Sequence, residues 1–435
     1  MAASDVTVSG APVSDAPREQ DLAKCVHCGL CLNACPTYRE LHVEMDSPRG
    51  RIYQMVQVSK GAPITESYQE HMDLCLACRG CETACPSGVE YGRLIEAARA
   101  DIEQRVRRPL GTRFLRWLVF ERLLPSRTAL RLVGASLYIY QASGLQKLVR
   151  SSGMLKLMGK FGEIEPLAPP IETPFFYRHM GRVFPAQGPR RYRVALLSGC
   201  IANISFARLN EATVRVLQAN GCDVTVHAEQ TCCGALHVHA GLRGPARKLA
   251  RQNIDALVDG NFDAIITNAG GCGSTLKEYD ELLEHDPQYA ERAKRFVEQM
   301  KDVNEFLASI DLNPRMGEVR ATVTYQDSCH LAHGQKIRTA PRQLLARVPG
   351  LTVKEMRMPD ICCGSAGIYN VVHTDLSMQL LEKKMQTVNA TKAERIATAN
   401  PGCMLQLRAG VLKHGEGQRV YHVVEILDEA YRAAN

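Results

Sequence analysis

No run of roughly 18 apolar residues, the length a membrane-spanning helix needs, occurs anywhere in the 435 positions. Residues 1–21 hold no basic start, apolar stretch or small-residue cleavage site, so the chain is expected not to be exported and to keep its thiols reduced. Nucleotide and hydrolase signatures are missing as well. There is no P-loop, H-E-x-x-H or G-x-S-x-G element, and the glycine-rich Gly364-Ser-Ala-Gly-Ile-Tyr369 lacks the G-x-G-x-x-G order of a dinucleotide site. Cysteine is absent from the 114 residues between Pro86 and Gly199, and acid is nearly absent from 104–160.

What is present is cysteine in blocks. Seventeen cysteines, an odd number with several adjacent or three apart, suit metal sites better than disulfides. Eight lie between Cys25 and Cys85 and nine between Cys200 and Cys403. The remaining composition, 45% hydrophobic and 23% charged with a net charge of +7, is that of an ordinary globular chain long enough for two or three domains. The cysteine blocks divide it into a cluster domain at 15–105, a connector at 106–190, and two repeats at 191–315 and 316–435.

The first block reads Cys25-x2-Cys28-x2-Cys31-x3-Cys35-Pro36 and then Cys75-x2-Cys78-x2-Cys81-x3-Cys85-Pro86. Three thiolates at steps of three wrap three corners of an iron–sulfur cube, and the fourth, before proline, reaches the other cube. The expected ligand sets are therefore Cys25, Cys28, Cys31 and Cys85 for one [4Fe–4S] cluster, and Cys75, Cys78, Cys81 and Cys35 for the other. Zinc is the competing reading, but zinc sites show separated ligand pairs rather than doubled triplets. The 40-residue step from Cys35 to Cys75 holds an expected helix over Pro48–Gln57. In this respect the domain resembles the α-helical ferredoxin type of respiratory iron–sulfur subunits. Arg49, Arg51 and Arg79 could face the clusters or a partner, with ordinary packing or surface roles as the plainer reading.

The second block is a duplication. Cys200, Cys232-Cys233-Gly234 and Cys272 are followed by Cys329, Cys362-Cys363-Gly364 and Cys403, with spacings of 32 and 39 in one half and 33 and 40 in the other. Expected strands over Val194–Leu197, Val224–His227 and Phe262–Thr267, and again over Ala321–Tyr325, Leu351–Met356 and Arg395–Ala399, alternate with helices such as Ala246–Val258. That alternation predicts a parallel, doubly wound sheet with every cysteine element at a strand's carboxyl end, where such folds place ligands. The fold class expected is thus multidomain α + α/β. The repeats resemble the cysteine-rich CCG domain of heterodisulfide reductase and its relatives, except that Ala269 and Asn400 stand where that family has a fifth cysteine. A further cluster, a redox thiol pair and a structural remnant all remain open for these eight cysteines. His237, His239, His330 and His333 lie near them and could donate protons, with chance proximity the better explanation.

The connector is the third signal. Gln104–Lys160 carries twelve basic residues against the single acid Glu121, a net charge of +11, interleaved with Phe114, Leu115, Trp117, Leu118, Leu137, Tyr138, Ile139 and Tyr140. Either these apolar residues rest on an anionic membrane or a partner, or they pack on the chain's own domains. No nucleic-acid recognition module accompanies the charge. A Pro-rich stretch, Glu165–Pro174, reads as extended linker.

Clusters pass single electrons, and oxidation of an organic substrate needs a flavin or nicotinamide that this chain shows no fingerprint for. A subunit passing electrons onward is therefore expected, with the flavin elsewhere. With Asp46-Ser-Pro-Arg-Gly-Arg51, Cys85-Pro-Ser-Gly88, Gly271-Cys-Gly273, Lys277-Glu-Tyr279 and Cys362-Cys-Gly-Ser-Ala-Gly367, residues 20–430 resemble the iron–sulfur subunits of bacterial glycolate oxidase. The resemblance implies partner flavoprotein subunits that carry FAD and oxidise glycolate to glyoxylate, with D-lactate as a secondary substrate. It also implies a membrane acceptor such as quinone and a place on the cytoplasmic face of the inner membrane. Iron–sulfur subunits of lactate and glycerol-3-phosphate dehydrogenases, heterodisulfide-reductase-like complexes and a freestanding electron carrier share the architecture.

Overall fold

The computed structural model describes residues 15–159, 162, 165 and 168–434. The N-terminal part is all helix and turn. Helix α1 (Pro48–Ser59) starts with proline at its first position, and Ser47 Oγ accepts from the Gly50 N–H at 3.0 Å. Thr65 caps α2 (Glu66–Asp73) in the same way at Tyr68. Helix α3 (Tyr91–Arg105) turns Leu94, Ile95, Ala98 and Ile102 inward, at spacings of three and four, onto Ile52, Met55 and Met72. The helix expected from Pro48 thus runs two residues beyond Gln57.

The connector is helical too: α4 (Leu110–Arg116), which continues into a widened π-type turn at Trp117–Leu123, then α5 (Arg127–Ala142) and α6 (Leu145–Ser151). Of the large apolar side chains between Leu110 and Ser151, only Phe120, Leu124 and Leu130 are buried. Of the expected extended stretch, residues 168–174 form neither helix nor strand; 166 and 167, like Lys160, lie outside the described residues.

Two sheets follow. The first contains β1 (Arg182–Phe184), β2 (Tyr192–Leu196), β3 (Cys222–Val226), β4 (Ala264–Thr267) and β5 (Met300–Asp302), in the order β1-β3-β2-β4-β5. All pairings are parallel except β1 with β3. Between the strands lie α7 (Ala207–Ala219), α8 (Arg243–Leu257) and α9 (Gly270–Leu276). The second contains β6 (Ala321–Tyr325), β7 (Leu351–Val353), β8 (Arg395–Thr398) and β9 (Arg419–His422), all parallel in the order β7-β6-β8-β9. With it go α10 (Thr374–Asn389), α11 (Pro401–His414) and α12 (Val423–Ala433). Leaving β1 aside, the two strand orders coincide, and the multidomain α + α/β architecture is the one the sequence leads one to expect.

Strands β1, β5 and β9 are the elements the hydrophobic pattern misses. Each is only three or four residues long and carries charge, so its alternation is too brief to register. A different signal marks two of them. Asp302 with Glu305, and His422 with Glu425, form capping boxes that open the helices just after β5 and β9.

The sheets share one core. Helix α7 packs on α12, where Arg215 makes a bidentate pair with Asp428 at 2.8 and 2.7 Å, and Val194, Leu217, Val323 and Leu427 belong to the same buried cluster.

The two Cys-Cys-Gly turns differ in how tightly they are enclosed. Gly234 (φ +81°) has only ordinary contact with Ala246, at 3.6 Å from a notional Cβ, whereas at Gly364 (φ +92°) that atom would stand 2.5 Å from the Ser377 carbonyl oxygen. Gly234→Ala is expected to cost about 1–2 kcal/mol from the left-handed backbone alone. Gly364→Ala should cost at least about 1 kcal/mol more through the clash, read as the difference in urea unfolding free energy between the two variants.

Candidate metal centres

All seventeen thiols are free of disulfides. The two N-terminal motifs share two left-handed backbone positions. In the first, His27 (φ 55°) and Gly29 (φ 83°) are left-handed; in the second, Ala77 (φ 51°) and Arg79 (φ 62°) stand at the same motif positions. Left-handed residues alternating with ordinary ones turn successive N–H groups inward, a concavity suited to anions and to sulfur-rich clusters. The Ala77 N–H already points at Cys75 Sγ, at 3.4 Å.

The structure gathers Cys35 with Cys75, Cys78 and Cys81, all buried and within electrostatic reach of one another. Cys31 sits between Cys25 and Cys35, and burial, with those neighbours adding to it, pushes its thiol up to about 11. Cys28 is exposed; Cys85, half-buried, belongs to the same N-terminal core as Cys25 and Cys31. One set is therefore enclosed and the other opens to solvent.

In the repeats every cysteine element follows a strand, and each half brings its four thiols into series. Cys200 Sγ lies 3.5 Å from Cys232 Sγ, and contacts continue from Cys232 to Cys233 and from Cys233 to Cys272. The second half runs Cys329–Cys362–Cys363–Cys403 in the same way. Contact with Cys232, then burial, raises the Cys200 thiol well above its ordinary value; contact with Cys362, with burial added, pushes Cys363 up to about 12. Among the described residues no three Cys, His, Asp or Glu side chains converge on the position of a single metal ion. The chemistry of the donors nevertheless fits an iron–sulfur group. Neutral, crowded thiols in a buried site ionise when a cationic centre takes up their charge.

The surrounding residues fix these turns. Arg51 is wholly buried and donates to the His71 carbonyl, Thr37 Oγ1 and both the carbonyl and carboxylate of Asp46; Thr37 Oγ1 lies 3.2 Å from Cys35 Sγ. Arg79 pairs with Glu82 and also reaches Ser274 and Glu278 of the first repeat. Arg49 is partly exposed, holding Glu44 and the His27 carbonyl. Arg51 is thus a packing arginine and Arg79 an interdomain tether. In the first repeat, Asn253 Nδ2 donates to the Cys232 carbonyl and Tyr279 OH to that of Cys233. At the corresponding place on α10 the second repeat has Lys384, buried beside Cys362 and Cys363, its ammonium on the Met358 and Pro359 carbonyls and its pKa lowered by burial. Lys384 went unnoticed in the sequence; superposing α8 on α10 residue by residue would have exposed the Asn-to-Lys exchange.

The four histidines serve as tethers. His237 Nε2 meets the Phe120 carbonyl at 2.7 Å, His239 meets Glu96 at 3.1 Å, and His330 Nε2 donates to the Ala77 carbonyl at 3.0 Å. His333 lies between Thr83 and the Asp360 carbonyl. Burial first, then His239, pulls His330 down to about 3, so it is neutral and a poor proton donor. Asn400, in the place of the missing cysteine, donates to Cys403 Sγ at 3.4 Å and accepts from the Gly271 N–H at 3.3 Å, joining the repeats. The enclosed N-terminal set abuts the second repeat: Cys78 shares a buried cluster with Leu76, Cys362 and Tyr369, against which Cys329 packs.

Comparison with known proteins agrees with this layout. Residues 21–89 match the family described as 4Fe-4S dicluster domain, and 194–277 and 323–408 each match the cysteine-rich domain family. Residues 111–168 match the family described as glycolate oxidase iron-sulfur subunit, linker region. The chain is 44% identical to the probable glycolate oxidase iron-sulfur subunit of Bacillus subtilis, over 95% of this chain and 94% of that protein. It is 35% identical to the glycolate oxidase iron-sulfur subunit of Escherichia coli, over 94% of each. Lactate utilization protein A of Oceanobacillus iheyensis is 30% identical over 54% of this chain and 96% of its own length.

Two tests follow from the geometry. Arg51→Ala leaves Asp46 buried without its cation and should cost about 3–5 kcal/mol in urea unfolding, with Cys35 becoming reactive to thiol reagents; Arg49→Ala should cost no more than about 1 kcal/mol. Glu281 has its folded pKa raised to about 7, burial outweighing its contact with Arg93. The folded chain therefore holds a proton that the unfolded chain releases, so stability falls as pH rises from about 4.5 to about 7. Glu281→Gln should flatten that slope, stabilising the protein at pH 8 and changing little below pH 4.5.

Proposed function

The chain belongs to the family of glycolate oxidase iron–sulfur subunits, and on that premise we propose that it is the electron-transfer subunit of a complex oxidising glycolate to glyoxylate. Partner flavoprotein subunits carry FAD and take two electrons and two protons from the 2-hydroxy acid. This chain passes the electrons singly to a membrane acceptor, a quinone. D-lactate is a second substrate of the same complex, a reading favoured by the likeness to lactate utilization protein A.

The observation that carries this reading is the enclosed set Cys35, Cys75, Cys78 and Cys81 lying against Cys329 and Cys362, with the set around exposed Cys28 at the surface. Cys25, Cys28, Cys31 and Cys85 hold one [4Fe–4S] cluster, and Cys75, Cys78, Cys81 and Cys35 the other. When bound, such clusters supply one-electron transfer at potentials set by charge, hydrogen bonding and exposure. The chain's own residues position the donors: the paired left-handed turns aim backbone N–H groups inward, and Arg51 and His330 brace the turns of Cys35 and Ala77. Cys200, Cys232, Cys233 and Cys272, and Cys329, Cys362, Cys363 and Cys403, take a further iron–sulfur group or act as redox thiols. The domain limits remain those proposed from sequence, 15–105, 106–190, 191–315 and 316–435. Residues 104–160 contact the cytoplasmic face of the inner membrane.

Co-purification with flavoprotein partners followed by a substrate screen tests the assignment, glycolate being expected to give the highest turnover. Within that complex Cys81→Ser should abolish electron transfer from glycolate to a quinone analogue while the partner flavin is still reduced. Loss of flavin reduction would contradict the subunit's role as a conductor.

A further inference from the structure

The connector's two sides are unlike. Its inner side is anchored at a few points: Phe120, Leu124 and Leu130 are buried, Arg116 holds Glu103 and the Ala240 carbonyl, and Arg127 holds the Gln230 carbonyl. Many of the connector's other apolar side chains are exposed. On α4 and the turn after it, Leu110, Phe114, Trp117 and Leu118 recur at three- and four-residue steps, which puts them on one face. Leu132 and Ile139 on α5, and Leu145 and Leu148 on α6, add further rows. Leu110 is 79% exposed, Ile139 64%, and Phe114 and Leu148 62% each. The alternative in which this face packs on the chain's own domains is therefore not the one adopted.

Charge identifies what covers it. Arg108, Arg116 and Arg150 are already paired with Glu103 or Glu165, but Arg107, Arg113, Arg122, Arg131 and Lys147 make no ion pair among the described residues. Arg122 lies over the Trp117 ring at 4.8 Å. Unpaired cations bordering exposed Leu, Ile and Phe rows, with a tryptophan between them, complement a surface that is anionic outside and hydrocarbon within. No helix among the described residues is long and apolar enough to cross a membrane, so the element lies in the interface.

We propose that α4–α6 form an interfacial anchor on an anionic lipid bilayer, with Leu110, Phe114, Trp117, Ile139 and Leu148 entering the acyl boundary and Arg107, Arg113, Arg131 and Lys147 meeting lipid phosphates. This deepens the membrane contact of the proposed function and rests on that reading for the location of the acceptor. It also explains the layout around the first repeat. Leu124, Pro125, Arg127 and Leu130 line the small cleft that reaches Cys200 and Cys232, so the anchor forms the roof of that thiol set.

The test uses the intact complex and the full chain with vesicles of phosphatidylcholine alone or mixed equally with phosphatidylglycerol. Trp117 is the chain's only tryptophan, so its emission reports on the proposed face in the full chain, while flotation reports binding for both preparations. Anionic vesicles should shift that emission to the blue and float the protein, and about 1 M salt, where screening acts within about 3 Å, should release most of it but leave a salt-resistant fraction held by the apolar rows. Combined Arg107→Gln, Arg113→Gln, Arg131→Gln and Lys147→Gln should weaken binding a hundredfold or more, on the order of fivefold per cation. Combined Phe114→Ser, Ile139→Ser and Leu148→Ser, at exposed positions, should abolish the salt-resistant fraction. Equal binding to neutral vesicles, or binding unchanged in both variants, would overturn the anchor. So would loss of the flavoprotein subunits from the variants with lipid binding intact, which would mark a protein interface instead. Glycolate-dependent flavin reduction, measured on the same samples without vesicles, reports separately on the electron-transfer reading.

Discussion

Thiols crowded together in a buried space resist ionisation, and only a cationic centre reverses that resistance. The rest of this structure is arranged around the constraint. Cys78 and Cys81 are raised well above their ordinary values by burial and by neighbouring sulfurs, and so is Cys403, by contact with Cys363 first and burial second. Chains without a group to neutralise such sets gain nothing from assembling them. Here they are assembled repeatedly, on turns whose backbone is itself unusual, with Ala77 and Arg79 held in the left-handed region that non-glycine residues avoid.

Holding those turns requires rigid support, and the support also joins the domains. Arg51 fills the space beneath Cys35, while Arg99 gathers the carbonyls of Met72, Asp73 and Cys75 and then reaches the His239 carbonyl of the first repeat. His330 and His333 cross from the second repeat to the N-terminal turns. An electron carrier needs short, fixed separations between its centres, and these polar tethers, together with the cluster around Cys78 and Cys362, fix one of them.

Much of this could be read in the sequence because its signals are discrete. Cysteine spacings do not blur, the duplicated Cys-Cys-Gly elements announce two like sheets, and β2, β3 and β4 are apolar enough to stand out. Strands β5 and β9 were hidden because three or four residues cannot express a period. The roles of His237, His239, His330 and His333 were hidden because they depend on contacts across more than 100 residues of chain. The orientation of the connector is not legible from pattern alone, since an amphipathic helix reads the same whichever surface its apolar side meets; burial of Phe120, Leu124 and Leu130 and exposure of the other rows show that only part of it packs on the chain's own domains.

The proposed electron path depends most on the fourth cysteine of the first motif serving the second motif's set. Paramagnetic resonance of anaerobically prepared, dithionite-reduced Cys35→Ser measures this most directly, beside Cys78→Ser and Cys28→Ser as references. Cys35→Ser is expected to give the spectrum and iron content of Cys78→Ser, with the solvent-facing cluster left alone and magnetically isolated. A spectrum that instead matches Cys28→Ser would contradict it.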